Sequence, residues 1–148
     1  MIGILTTQEI NEVLTRGIVG RIGCSDGKKL YVVPINYVFD GKFIIAHSLE
    51  GMKINMMRKN PEVCFEVDEM KDLSNWRSVI VWGIYQELKE ERERYAAMKL
   101  FVDRMIHSRH AEAKVITSNE THTAKPEKLK PIIYRILLQE ATGRVEHS

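Results

Sequence analysis

Apolar and polar positions recur along this chain at two periods, and the changes of period mark its elements. Ile10, Val13 and Leu14 fall at three- and four-residue steps, the spacing that keeps side chains on one helix face. Thr6 precedes them with Glu9 three residues on, a capping-box pattern, and Gly17 is a natural stop. The spacing predicts a short helix over residues 7–16. Strand-like residues then run from Ile18 to Cys24, interrupted by Gly20 and Gly23, which suggest a bulge or close backbone approach. Ser25-Asp26-Gly27 reads as a turn.

Residues 30–39 form a strongly β-prone run broken by Pro34. Proline cannot donate to a ladder, so this strand is expected at an edge or bulged, with nearby backbone free to bond something else. Asp40-Gly41 predicts a hairpin turn, and residues 42–47 the returning strand. A helix of about two turns is predicted over residues 51–59, ended by Asn60-Pro61. Strands are predicted over residues 63–68 and 77–88, with a polar connection over 69–75 and a bend at Gly83. Tyr95, Met98, Phe101, Val102, Met105 and Ile106 give a second long helix an apolar stripe. Residues 107–130 read as a long loop, and residues 131–138 as the last strand. About six strands with few helices and no strand–helix alternation predict a mainly β protein, a small antiparallel barrel with peripheral helices. With 148 residues, a single domain over 1–148 is expected.

Candidate chemistry gathers in residues 31–53, where the hairpin ends in His47-Ser48 and a helix opens at Gly51. A helix N-terminus presents unpaired N–H groups and a positive partial charge, which suit an anion. Lys53 in the first turn opposes the helix dipole unless an anion sits there; the alternative is a solvated lysine. His47 can orient a ligand or transfer a proton, or simply end its strand in a hydrogen bond. Arg77 and Ser78 put an arginine fork beside a hydroxyl, as phosphate or ribityl oxygens require, and equally as an ordinary strand start. Trp76 and Trp82 are six residues apart and share a strand face. A ring there can stack on a flat ligand, pack in a core or meet a second subunit.

Charge and cysteine content narrow the classes. A net charge of +2 gives no electrostatic argument for nucleic acid or membrane. No apolar run approaches the roughly 20 residues that span a bilayer, and no secretory segment opens the chain. Cys24 and Cys64 stand alone in apolar contexts and read as buried free thiols, which points to a reducing cytoplasm. His107, His110 and His122 lack partners at metal-ligand spacing, so no metal is expected.

Three segments carry a resemblance: GRIGCSDGKKLYVVPINYVFDGKFIIAHSLEGMKINMMRKNPEVCFEVDE, then WRSVIVWGIYQEL, then YRILLQEATGR. In that order the chain resembles the flavin-binding split-barrel proteins related to pyridoxamine 5′-phosphate oxidase, and within them the 5-nitroimidazole resistance protein branch. The resemblance implies a homodimer with flavin between subunits, FMN as the usual ligand and FAD as the alternative. It implies that Val33-Pro34-Ile35-Asn36-Tyr37 line the isoalloxazine ring. His47, Ser48, Gly51 and Lys53 would hold the ribityl-phosphate end, and Arg77-Ser78-Val79 would add polar contacts, with Trp82 on the same strand. The arginine- and lysine-rich motif of the oxidase itself is not recognisable here, nor is its substrate-phosphate set. The implied activity is therefore general flavin redox chemistry, such as nitro-group reduction with His47 in the site and a reduced nicotinamide as donor. A flavin storage or sensing protein is the alternative, and a haem-handling barrel a further one.

Overall fold

The structure, a computed structural model, describes residues 1–108 and 130–148. Its order is β1 (Ile2–Ile4), α1 (Thr7–Arg16), β2 (Val19–Ser25), β3 (Leu30–Asn36), β4 (Val38–Phe39), β5 (Phe43–Ser48), α2 (Met52–Lys59), β6 (Glu62–Asp72), β7 (Asn75–Glu87), α3 (Glu91–Ser108) and β8 (Ile132–Glu146). The strands form one antiparallel sheet in the order β3-β2-β6-β7-β8-β5-β4, with β1 added to the far end of β8. The sheet curls into a half-barrel, the split-barrel architecture that the pattern and resemblance predict.

Local chemistry explains most of these boundaries. The capping box at α1 is formed: the Thr6 hydroxyl accepts from the Glu9 amide at 3.2 Å, and the Thr6 amide donates to Glu9 Oε1 at 2.8 Å. Ile10, Val13 and Leu14 face inward from it. At the β4–β5 hairpin, Gly41 takes φ 101°, a left-handed conformation that costs glycine little. Asp40 Oδ1 accepts from the amides of Lys42 and Phe43. Pro34 lies on β3, which among the described residues borders only β2, so the edge position expected for it is the one observed.

Four predictions of extent need correction. The polar connection over 69–75 is instead the tip of a long β6–β7 hairpin, turning at Leu73-Ser74. This tip stands in solvent, so no buried face imposed an alternating pattern on it. The last strand continues past Leu138 to Glu146, with Ala141 and Val145 packed on the core and Gly143 beneath Leu5. The run over 30–39 divides at Tyr37 into β3 and β4. With β1, which is too short to show a period, the strand count is eight among the described residues. The loop expected over 107–130 lies mostly outside the described residues.

One apolar cluster fills the half-barrel, closed by α1 and α2 and centred on Leu14, Ile22, Ile44, Ile54, Phe65 and Ile136. A second joins α3 to the outside of the β4–β5 hairpin through Ala97 and Phe101 against Val38, Ile45, Leu88 and Ile133. This second cluster holds α3 over the end of β5, beside His47.

Candidate functional site

Two groups of predicted residues are brought together, and they lie in different places. The first forms a corner where β5 ends and α2 begins. His47 is partly open to solvent, and its ring stands edge-on to Phe101, with centroids 4.7 Å apart. Burial first, and then the charge of Lys53, lowers the His47 pKa, which favours the neutral imidazole. The Ser48 hydroxyl donates to the Leu49 carbonyl at 2.9 Å and keeps its own oxygen at the surface of the corner.

Gly51 caps α2 without a side-chain hydrogen bond, and no acidic residue occupies the first turn. Among the described residues the N–H groups of that turn therefore lack a side-chain acceptor. Gly51 has an extended backbone, and a Cβ there would meet only the Leu49 carbonyl oxygen at 3.9 Å. Neither conformation nor packing within the chain requires glycine, which leaves open room beside the helix terminus. Lys53 is half-buried in the same turn. Among the described residues no carboxylate lies within ion-pairing distance of it. Burial lowers its pKa, and its charge is felt by the neighbouring thiol of Cys24. A desolvated cation at an uncapped helix N-terminus creates a demand for an anion that the described chain does not meet. These residues fit a phosphate-bearing ligand.

Val33 packs on the core at the edge of this region, and Pro34 and Asn36 face outward from β3. The side chains of Ile35 and Tyr37 turn into the core. Ile35 is 7% exposed, and Tyr37 is fully buried with its hydroxyl donating to the Leu14 carbonyl at 2.7 Å. Within one copy the Tyr37 side chain is therefore turned into the core, and only its backbone is left for the ring that the resemblance implies. The break between β3 and β4 turns the side chain inward to satisfy the Leu14 carbonyl in the last turn of α1.

The second group lies on the outer face of the sheet. Residue pairs align Val32, Gly23, Cys64 and Trp82 in one row, and Pro34, Arg21, Glu66 and Ile80 in the next. Ser78 lies between Asp68 and Arg144. Leu30, Val32, Cys64, Trp82 and Gln139 line a groove of about 410 Å³. On this face Glu66 is pushed up to about 7 by burial and by its neighbour Asp68, against the pull of Arg21 at 3.5 Å. Arg77 and Val79 point the other way. Arg77 is committed to Glu69 at 2.8 Å and Glu12 at 3.5 Å, and Val79 is fully buried. The fork expected to meet phosphate is thus already paired, and Val79 offers no side chain. Strand alternation explains both, since 77 and 79 share the inward face and 78 and 82 the outer one.

Two neighbours of the corner carry no signal in the sequence. Phe101 reads as part of a helical stripe and Cys24 as a core thiol, and only the fold places them beside His47 and Lys53. His107 closes α3 at the surface, while His110 and His122 lie outside the described residues.

Comparison with known proteins agrees with this architecture. The family model for pyridoxamine 5′-phosphate oxidase matches residues 6–145. A protein of Rhizobium meliloti (strain 1021) is 35% identical over 85 residues, 57% of this chain and 56% of that protein, so the match spans little more than half its length. A FAD-binding protein from Mesorhizobium loti is 29% identical, with 100% of this chain and 98% of that one covered and a TM-score of 0.79. A candidate 5-nitroimidazole antibiotic resistance protein from Bacteroides thetaiotaomicron superposes over 98% of this chain and 87% of its own, with a TM-score of 0.71. At 18% identity that last likeness speaks for the fold alone. With a family match over nearly its whole length and the same curled sheet, the chain belongs to the pyridoxamine 5′-phosphate oxidase family.

Proposed function

We propose that this protein is a flavin-dependent oxidoreductase of small molecules, working as a homodimer with FMN or FAD between its subunits. Nitroaromatics such as 5-nitroimidazoles belong to the substrate class, with a reduced nicotinamide as donor. The observation that carries the reading is Lys53, a half-buried cation at the uncapped start of α2 that has no carboxylate partner among the described residues. A flavin supplies two-electron and one-electron redox chemistry when bound. Lys53, the Ser48 hydroxyl and the Gly51 turn hold its phosphate. Val33, Pro34, Ile35 and Asn36 present the backbone of an edge strand to its ring. His47, whose lowered pKa favours the neutral ring, hydrogen-bonds the substrate or moves a proton at a ring nitrogen, and Phe101 restricts water on one side of it.

The outer face supports the dimer. Leu30 is 84% exposed, Val32 70% and Trp82 41%, an apolar surface that a second copy would cover. Both thiols are free, and we place the protein in the reducing cytoplasm.

The absorption spectrum of the purified protein tests the reading. Flavin bands, or their appearance on adding FMN or FAD, are expected, and their absence in both cases overturns it. NAD(P)H oxidation with nitroaromatic or quinone acceptors then tests turnover; a bound flavin that no donor reduces marks a storage or sensing protein instead.

A further inference from the structure

Arg58, in the last turn of α2, grips residues on both sides of the corner. Its Nε and Nη2 donate to the two oxygens of Glu87 at 2.8 and 3.0 Å, and its Nη1 donates to Glu50 Oε2 at 3.0 Å. Glu87 is further fixed by the Tyr85 hydroxyl, which donates to it at 2.9 Å. Glu50 immediately precedes Gly51, the uncapped start of the helix. The Ser48 side chain bonds only its neighbour Leu49, while its backbone pairs with Ile132 on β8. Among the described residues, the Arg58–Glu50 bond is the one side-chain tether that ties the turn at 48–51 to the barrel.

We propose that Arg58 is a positioning residue for the phosphate of the ligand, setting the Ser48–Gly51 turn and the first turn of α2 through Glu50 and anchoring both to β7 through Glu87. The inference rests on the flavin reading above and deepens it. A basic residue near a helix C-terminus can serve merely to complement the dipole, a role lysine fills equally well. A planar fork holding two carboxylates is a different device, and lysine does not reproduce it.

Glu50→Gln separates the roles by sign. Glu50 is an anion one residue before Gly51 in the turn proposed to hold the phosphate, and its side chain is 61% exposed, so the variant is expected to fold. Were charge alone at work, its removal would tighten FMN. Loss of positioning weakens it. FMN and riboflavin, which lacks the phosphate, are titrated into the wild type, Glu50→Gln, Arg58→Lys and the double variant, with thermal midpoints recorded alongside. The expected result is FMN affinity reduced about threefold or more in each variant, with riboflavin affinity unchanged. The double variant should be no worse than Arg58→Lys, since Glu50 acts through Arg58. Unchanged or tighter FMN binding by Glu50→Gln overturns the proposal, as does an equal loss for both ligands. A wild type that binds neither flavin refutes the cofactor reading itself, and this inference with it, before any variant is compared.

Discussion

Replacing Lys53 by methionine tests the central claim, because the free and bound states respond in opposite ways. Methionine keeps the length and helix propensity of lysine and removes the charge. In the free protein Lys53 has lost part of its hydration without gaining a carboxylate among the described residues, so its charge is a cost. The sign of the pH dependence follows from this. With a folded pKa below the unfolded value of 10.5, the unfolded chain binds more protons in the interval between them. Stability of the free wild type therefore rises as pH climbs through that interval, and the variant lacks the rise.

Bound phosphate reverses the account. A charge-assisted contact of this kind contributes about 1.5–3 kcal/mol, so Lys53→Met should weaken FMN by roughly 10- to 150-fold and leave riboflavin unchanged. At saturating FMN the ligand-induced gain in thermal midpoint should shrink by roughly 3–10 °C for a chain of this size. Fluorescence titration and thermal scans of the free and loaded forms provide the measurements. The reasoning fails if the variant binds FMN as tightly as the wild type. It fails equally if the free variant melts well below the wild type, since Lys53 would then be a structural residue.

Three further outcomes follow from the same geometry. Gly51→Ala should leave the free protein within about 0.5 kcal/mol of wild type, because the added carbon meets only a carbonyl oxygen at 3.9 Å, and should weaken FMN in titration; retained affinity would remove the phosphate from that turn. Tyr37→Phe should cost about 1–3 kcal/mol in urea denaturation, the penalty for leaving the buried Leu14 carbonyl without its donor, with flavin affinity unchanged. Glu66 carries a folded pKa of about 7 against 4.5 unfolded, so the folded state binds more protons between those values and stability falls as pH rises through them. Glu66→Gln should accordingly gain stability relative to wild type at pH 8 and gain little near pH 4.5, measured by urea denaturation at both.

Legibility of the sequence followed the strength of local physical signals. The Thr6–Glu9 capping box, the Asp40-Gly41 turn and the stop at Asn60-Pro61 each act over a few residues, and each stands in the structure. The corner proposed for a phosphate is legible as a cluster for the same reason, since Ser48, Gly51 and Lys53 are neighbours in sequence. Extents failed where burial no longer imposed a pattern, as at the solvent-exposed tip of β6–β7 and in the Gly- and Thr-containing end of β8. Side-chain direction at Tyr37 and Arg77 is not legible locally because both are decided by distant partners, the carbonyl of Leu14 and the carboxylates of Glu69 and Glu12. Arg58 illustrates the limit. Its partner Glu87 lies 29 residues away, and nothing local announces the pair.

The separation between the two groups of candidate residues bears on the proposed dimer. His47 pairs across to Ile133 on β8, and the Ile133 carbonyl accepts from the Leu88 amide just beyond β7. Ser78 is ten residues back along that strand (88 − 78 = 10), and Trp82 six (88 − 82 = 6). At ~3.3 Å per residue, Ser78 is roughly 30 Å along the strand from the row of His47 and Trp82 roughly 20 Å. A single mononucleotide held by Lys53 does not span the first of these within one copy. If both groups serve one cofactor, the His47–Lys53 corner of one copy must meet the outer face of another. Co-expressing Lys53→Met with Trp82→Ala checks this directly. In a mixed dimer the second variant supplies an intact corner and the first an intact outer face, so one of two sites is restored. Flavin bound at up to half the wild-type stoichiometry is expected from a mixture whose separate variants bind poorly. No restoration would show that each copy holds its flavin alone, and Ser78 and Trp82 would then belong to the subunit contact.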